Sequence, residues 1–428
     1  MSWTAIKEEL AKFTGNKLAF IICAMVCGFC IMCDYGIVRP VSHSIFLSTY
    51  GSDFFPYVWL AIVPFNFLII ELYNRFLPKI GIHKMFFTIL GSILIINTCA
   101  ALFMTKMPAF AFFFYIWKEI YVMLLFQQLW SVIHTTIKMD QAKYLYGLLF
   151  ACGGFGGILG NSLPGYFAVK MGSANLLLAS LPLLAILGFA FFYLMKNSQI
   201  QEIKAAPGAA PNADSGPQIN TFWQGVTAIR NSKYLTFILA IVVVMQVTTT
   251  LIYYQFNAVL EHTILIQDLR TEYCGKIFGI ANIFSLALQL FGSYLLLHFI
   301  GLRRSHLAMP LFLAFNAVGS LFFPTFAMIS AAFITIKAFD FSLFGVLKEM
   351  LYIPLKQDEK FQAKAIIDVF AYRSSKAVAS CLILVLQFIG FSEMIETLSW
   401  GSFVLLMVWA FIVFKMFKLK GEPVKELE

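Results

Sequence analysis

The sequence predicts an all-α membrane protein with twelve transmembrane helices in two pseudo-symmetric six-helix halves. Three observations carry that prediction. Of 428 residues, 60% are hydrophobic and only 12% are charged, whereas soluble domains average roughly 25% charged residues. The apolar residues fall into twelve runs, each near the length of about 20 residues that a helix needs to cross a bilayer. Glu119 and Asp340 lie inside two of those runs. Each precedes the Lys of a Gln-Ala-Lys triplet, at 141–143 and 362–364, by the same 24 residues (143 − 119 and 364 − 340). An acid inside a span costs roughly 3 kcal/mol and marks function by default. Two acids at matched places point to a duplicated bundle.

The elements follow in order. The first run, 18–38, comes after a leader that holds Glu8 and Glu9, and it ends at Arg39-Pro40. It lacks the composition of a transit peptide and the small-residue site of a cleaved leader, so no cleavable targeting segment is expected. Runs 54–72, 85–104, 108–137, 145–169 and 174–195 complete a first set of six. Residues 199–220, with Ala-Ala-Pro-Gly-Ala-Ala-Pro-Asn at their centre, are small, polar and Pro-rich, and read as a flexible cytoplasmic linker. The second set runs 234–254, 277–300, 309–323, 326–347, 363–389 and 395–414. Lipid gives the backbone no partner but itself, so these spans are helices. The organisation is a half at 1–198, the linker, and a half at 221–428.

The loops set the orientation. With the N-terminus inside, most of the 31 Lys and Arg fall on the cytoplasmic side, and Lys106, Lys170, Arg270, Lys276 and Arg39 fall outside. This bias predicts both termini in the cytoplasm. It also accounts for the formal charge of +9 without a nucleic-acid partner.

The charges within the spans carry the chemistry. Asp34 and Arg39 lie in and after the first span, Lys118 and Glu119 in the fourth, Lys337 and Asp340 in the tenth, and Asp368, Arg373 and Lys376 in the eleventh. Arg373 and Lys376 are three apart and share a helix face, so they need an anion: a substrate phosphate or a protein carboxylate such as Asp368, Glu119 or Asp340. Lys337 and Asp340, also three apart, can neutralise each other. Asp34, His43, Glu119 and Asp340 are the groups that could carry a proton.

Two other motifs read as packing. Cys23, Cys27, Cys30 and Cys33 form a stripe of small residues on the first helix, and no metal site is expected from them. The glycines at 153, 154, 156, 157 and 160 lie inside an apolar helix, with no preceding strand and no Walker Lys. They suit close helix approach rather than a phosphate loop. No nucleophile–base pair, His cluster or metal spacing is visible, so neither an enzyme nor a cofactor is expected.

The stretch Ser342-Leu343-Phe344-Gly345-Val346-Leu347-Lys348-Glu349-Met350-Leu351-Tyr352-Ile353-Pro354-Leu355 resembles the Ser-Leu-Phe-Asp…Lys-Glu-Met-x-Tyr-Ile-Pro-Leu signature of the ATP/ADP translocases of plastids and intracellular bacteria. Ala363–Asp368 with Arg373 and Lys376 resembles that family's Lys-Ala-x-Ile-Asp…Arg…Lys helix, and Glu119-Ile120-Tyr121 and Asp140–Lys143 resemble its Glu-Leu-Trp and Asp-Glu-Ala-Lys elements. The resemblance implies a major-facilitator-like fold that exchanges nucleotides across a bacterial inner membrane. Taken with the charges inside the spans, it makes Arg39, Glu119, Lys337, Asp340, Asp368, Arg373 and Lys376 the expected substrate contacts. Two family lysines are replaced, one by Ser42 and one by Asp340, and the acid of the family's seventh helix is absent from Leu251–Gln255. These departures predict a solute less charged than ATP. The expected protein is a monomeric secondary transporter, antiporter or symporter, of a small anionic solute such as a nucleotide. The alternatives are a proton-coupled transporter of another organic anion or metabolite, and a membrane binding protein that does not transport.

Overall fold

A computed structural model describes residues 16–137, 139–198, 219–292, 298–355, 363–390 and 393–419. For 139–145, 219–224, 365 and 369 only the backbone is described. The described residues contain twelve helices long and apolar enough to cross a membrane. They are α1 Asn16–Tyr50, α2 Ser52–Ile80, α3 Ile82–Phe103, α4 Pro108–Thr136, α5 Tyr146–Met171, α6 Asn175–Asn197, α7 Lys233–Thr263, α8 Gln267–Gly292, α9 Leu302–Phe322, α10 Phe326–Leu351, α11 Ile366–Ile389 and α12 Met394–Met416. A short amphipathic helix, Ile219–Asn231, precedes α7. Most of the expected linker, 199–218, and the first Gln-Ala-Lys side chains lie outside the described residues.

Local chemistry explains most boundaries. Gly51 takes a φ of 82° between α1 and α2, a conformation open mainly to glycine. Ser232 caps α7 by accepting from the Leu235 amide at 3.3 Å, and Thr325 caps α10 by accepting from the Met328 amide at 3.3 Å. Pro108 occupies the first turn of α4, where its missing N–H costs nothing.

Two boundaries correct the expectation. α1 does not end at Val38 but continues through Pro40 to Tyr50. Pro40 removes a single helical bond, a loss that neighbouring helices absorb within a membrane bundle. Arg39 and His43 therefore lie inside α1, not beyond it. α8 starts at Gln267, ten residues before the expected 277, which brings Arg270 and Lys276 into the helix instead of an outer loop.

Two compact units contain these helices. The described parts of 16–49, 64–198 and 266–282 form unit 1, and those of 50–63, 219–265 and 283–419 form unit 2. In unit 1, α1 and α5 meet backbone to backbone. A Cβ at Gly156 or Gly160 would collide with the carbonyl of Phe29 or Cys33, and one at Gly36 would lie 2.8 Å from the Asn161 amide nitrogen. The glycine run of α5 is thus a packing surface, and Cys27, Cys30 and Cys33 are buried on α1. Phe86 of α3 stacks on Phe191 of α6 at 3.5 Å. In unit 2 an aromatic column links α2, α7 and α10. Trp59 stacks on Tyr253 at 5.3 Å, Tyr253 on Phe333 at 5.1 Å and Phe333 on Phe256 at 4.5 Å.

Among the described residues, wide π turns interrupt three spans, at Leu288–Gly292 in α8, Asp340–Phe344 in α10 and Ala365–Ala371 at the start of α11. Such turns cluster at functional sites. Two of them contain an acid singled out by the sequence, Asp340 and Asp368.

Candidate functional site

Unit 1 gathers Asp34, Arg39, His43 and Glu119 around α1 and α4. The two helices exchange an acid and a phenol reciprocally. Tyr121 of α4 donates to Asp34 Oδ2 at 2.7 Å, while Tyr35 of α1 donates to Glu119 Oε1 and Oε2 at 3.2 and 3.3 Å. Lys118 Nζ lies 2.5 Å from Glu119 Oε1 and 4.0 Å from the Tyr115 ring centre. Arg39, one turn beyond Tyr35, sets its guanidinium 4.2 Å over Phe278 of α8 and 5.8 Å from the Tyr35 ring. These are cation–π distances. His43, the next turn along, is fully buried between Tyr115 and Phe278, with ring centres at 6.3 and 5.7 Å. Ser42 is fully buried too, and its hydroxyl donates to the Arg39 carbonyl at 3.0 Å.

The start of α8 is tied to the same unit by polar contacts. Asp268 accepts from the Ser173 amide and hydroxyl at 2.8 and 2.5 Å. Arg270 donates to Ser48 Oγ at 2.9 Å. Ser44 donates to the Gln267 carbonyl at 2.8 Å.

Unit 2 gathers Lys337, Asp340 and Lys376. Gln246 of α7 donates to Asp340 Oδ1 at 2.8 Å, and Lys337 Nζ lies 3.9 Å from Oδ2. Lys337 Nζ is also 5.6 Å from the Tyr253 ring centre, and Lys376 Nζ is 5.1 Å from that of Trp59. Because Trp59 and Tyr253 stack on each other, α10 and α11 each deliver an ammonium to one aromatic platform. Arg373 stands one turn before Lys376 and is exposed.

Asp368 belongs to a different group at the end of α10. It accepts from Lys348 Nζ at 2.8 Å and from the Tyr352 hydroxyl at 3.1 Å. Lys364 pairs with Glu349 at 2.6 Å. Of the partners open to Arg373 and Lys376, Asp368 therefore meets Lys348 and Asp340 meets Gln246 and Lys337. The signature around Lys348–Tyr352 forms a charge network joining the ends of two spans.

Sequence reasoning missed Tyr35, Tyr121, Gln246, Trp59 and Tyr253. A phenol beside Asp34, and another two residues after Glu119, were the available signals. The hydrogen bonds of Tyr35, Tyr121 and Gln246 span 84 to 94 positions, and the Trp59–Lys376 contact spans 317 (376 − 59), which no local pattern reveals. Among the described residues, no three His, Cys, Asp or Glu side chains gather as a metal site.

Comparisons with known proteins identify the family and the fold. The profile of the TLC ATP/ADP transporter matches residues 97–420. The ADP,ATP carrier protein 3 of Rickettsia bellii is 20% identical over 96% of this chain and 97% of its own length. The ADP,ATP carrier protein 1 of Chlamydia trachomatis is 39% identical over 87 residues, a match that spans 16% of that carrier.

Solved transporters share the fold. A bacterial homologue of the iron transporter ferroportin in its inward-facing state superposes with a TM-score of 0.63 at 11% identity, covering 97% of this chain and 99% of that one. The nucleoside transporter NupG gives 0.59 at 13% identity, covering 95% and 100%. The D-xylose–proton symporter gives 0.59 at 13% identity, covering 96% and 99%. The sequence profile spans three-quarters of the chain and the twelve-span fold is shared with solved transporters: the chain belongs to the TLC ATP/ADP transporter family.

Proposed function

We propose that the protein is a secondary transporter moving a nucleotide or nucleotide-like anion across a bacterial inner membrane by alternating access. Both termini are cytoplasmic in this reading, and the monomer is the working unit. Membership of the family supports the transport class. The observation that carries the anion is the pair of lysines, Lys337 and Lys376, held over the stacked Trp59 and Tyr253 with Arg373 one turn away. Cations at membrane depth are retained where they meet an anion or a wet pathway. Arg39 and Glu119 provide a second charged cluster in unit 1.

The solute is less charged than ATP. Ser42 is buried and bonded to the Arg39 carbonyl, and Asp340 is an acid where the resembling family has a lysine. Two missing charge-assisted contacts, each worth roughly 1.5–3 kcal/mol, lower affinity for a triphosphate by about 10² to 10⁴. A nucleoside monophosphate therefore competes better than ATP.

The test is exchange of a labelled nucleoside monophosphate in proteoliposomes, with ATP as competitor. Arg373→Ala abolishes exchange without lowering thermal stability. Arg373→Lys is also poor, because its point charge cannot grip phosphate with two parallel bonds. Exchange at the unmodified rate by both variants refutes the site. Exchange by no variant, the unmodified protein included, refutes the solute class.

A further inference from the structure

Asp34 sits in a sealed polar cluster separate from the contacts of Glu119. The cluster draws one residue from each of four unit 1 helices: Asp34 of α1, Asn97 of α3, Tyr121 of α4 and Ser180 of α6. All four side chains are wholly buried. Tyr121 donates to Asp34 Oδ2 at 2.7 Å. Asp34 Oδ1 has no donor among the described residues, and neither has Asn97 Oδ1.

Ser180 lies beside the carboxylate, but its single proton goes to the Leu177 carbonyl at 2.8 Å, and it accepts from Asn97 Nδ2 at 3.2 Å. It has only lone pairs left to offer. Among the described residues, the other titratable groups near Asp34 are Cys30 and Cys33 on α1 and the adjacent Tyr35, and none of these is a cation. Lys118, one turn from Tyr121 on α4, has its ammonium on Glu119.

Two buried acceptor oxygens with no donor are costly in any protein interior and more so in a bilayer. A single positive charge from outside the chain answers both. A proton on Asp34 turns one oxygen into a donor. An alkali-metal ion draws on the same carboxylate, amide and hydroxyl oxygens, which are the hard ligands such ions take.

We propose that Asp34, Asn97 and Ser180 form a site for one monovalent cation, a proton or an alkali-metal ion, within unit 1, with the Tyr121 hydroxyl as a donor that competes for the carboxylate. Occupancy acts on the α1–α4 contact, because Asp34–Tyr121 and Tyr35–Glu119 are neighbouring bonds across it. The coupling role rests on the transport reading; the binding site does not.

Thermal unfolding of the purified full-length protein tests the site in two series. One varies pH at constant sodium, and the other varies sodium at constant pH, balanced with choline. A ligand that binds only the folded state raises Tm by mass action. Tm rises by a few degrees in one series, which identifies the ion, and Asp34→Asn flattens that series. Ser180→Ala weakens a sodium response several-fold and leaves a proton response in place.

Should Asp34→Asn fail to fold, Tyr121→Phe serves instead. It removes the donor to Oδ2, so the cation binds several-fold more tightly and the midpoint moves accordingly. Two flat series for the unmodified protein overturn the site, as does an unchanged response in Asp34→Asn or an unmoved midpoint in Tyr121→Phe. A clear cation response with no solute exchange would instead leave the site standing and refute the proposed solute class.

Discussion

Each unit holds a lysine–acid pair at the position marked by the repeat, and the two pairs are inverted. In unit 1 the cation is sealed, with the Lys118 side chain 1% exposed and that of Glu119 31% exposed. In unit 2 the acid is sealed, with Asp340 2% and Lys337 15% exposed. Each acid also receives a bond from the helix that opens its half, from Tyr35 on α1 and Gln246 on α7. Position is thus repeated while role is not. We read the open member, Glu119 in one unit and Lys337 in the other, as the group available to solute. The sealed member supports it.

Stability measurements can break that comparison. The largest effect is expected from Glu119→Ala, which strands the buried Lys118 ammonium and costs about 3 kcal/mol or more. Adding Lys118→Met should restore most of the loss in chemical denaturation. A double variant no more stable than the single one would show that the pair is not coupled.

Lys337→Ala should cost less, about 1–2 kcal/mol, because Gln246 keeps a donor on Asp340 and the ion pair is long at 3.9 Å. A loss as large as that of Glu119→Ala would show that the inversion has no energetic meaning. The smallest effect belongs to Tyr35→Phe, roughly 0.5–1.5 kcal/mol, since Glu119 keeps Lys118. Its unfolding midpoint should fall least of the three.

The fold was legible because lipid demands long apolar runs, and those runs survive without any alignment. Its two errors share a cause. Hydropathy counts every charge as wet, so Arg39 and the charged start of α8 read as loops. In the molecule Asp268 bonds Ser173, Arg270 bonds Ser48 and Arg39 covers Phe278. Satisfied polar groups stay inside a helix bundle that unsatisfied ones would leave.

The candidate site was legible on its charged side only. Glu119, Asp340 and Lys376 stand out among apolar neighbours, but their partners are Tyr, Gln and Trp. Those residues are common in such a chain, and the distances over which they pair are too long for periodicity to report.

The turn at Asp340–Phe344 gears one part of α10 to another. A π turn holds one residue more than an α turn. Closing it would advance everything beyond it by one residue, a rotation of about 100° and a shift of about 1.5 Å. Lys348 and Glu349 lie beyond that turn, and their partners Asp368 and Lys364 lie on a separate stretch of chain. Loss of any one residue from 340–344 would leave a continuous apolar helix of nearly unchanged composition. It would also swing Lys348 away from Asp368 and Glu349 away from Lys364. The Lys348–Asp368 pair therefore responds to the number of residues in that turn, whichever side chains fill it.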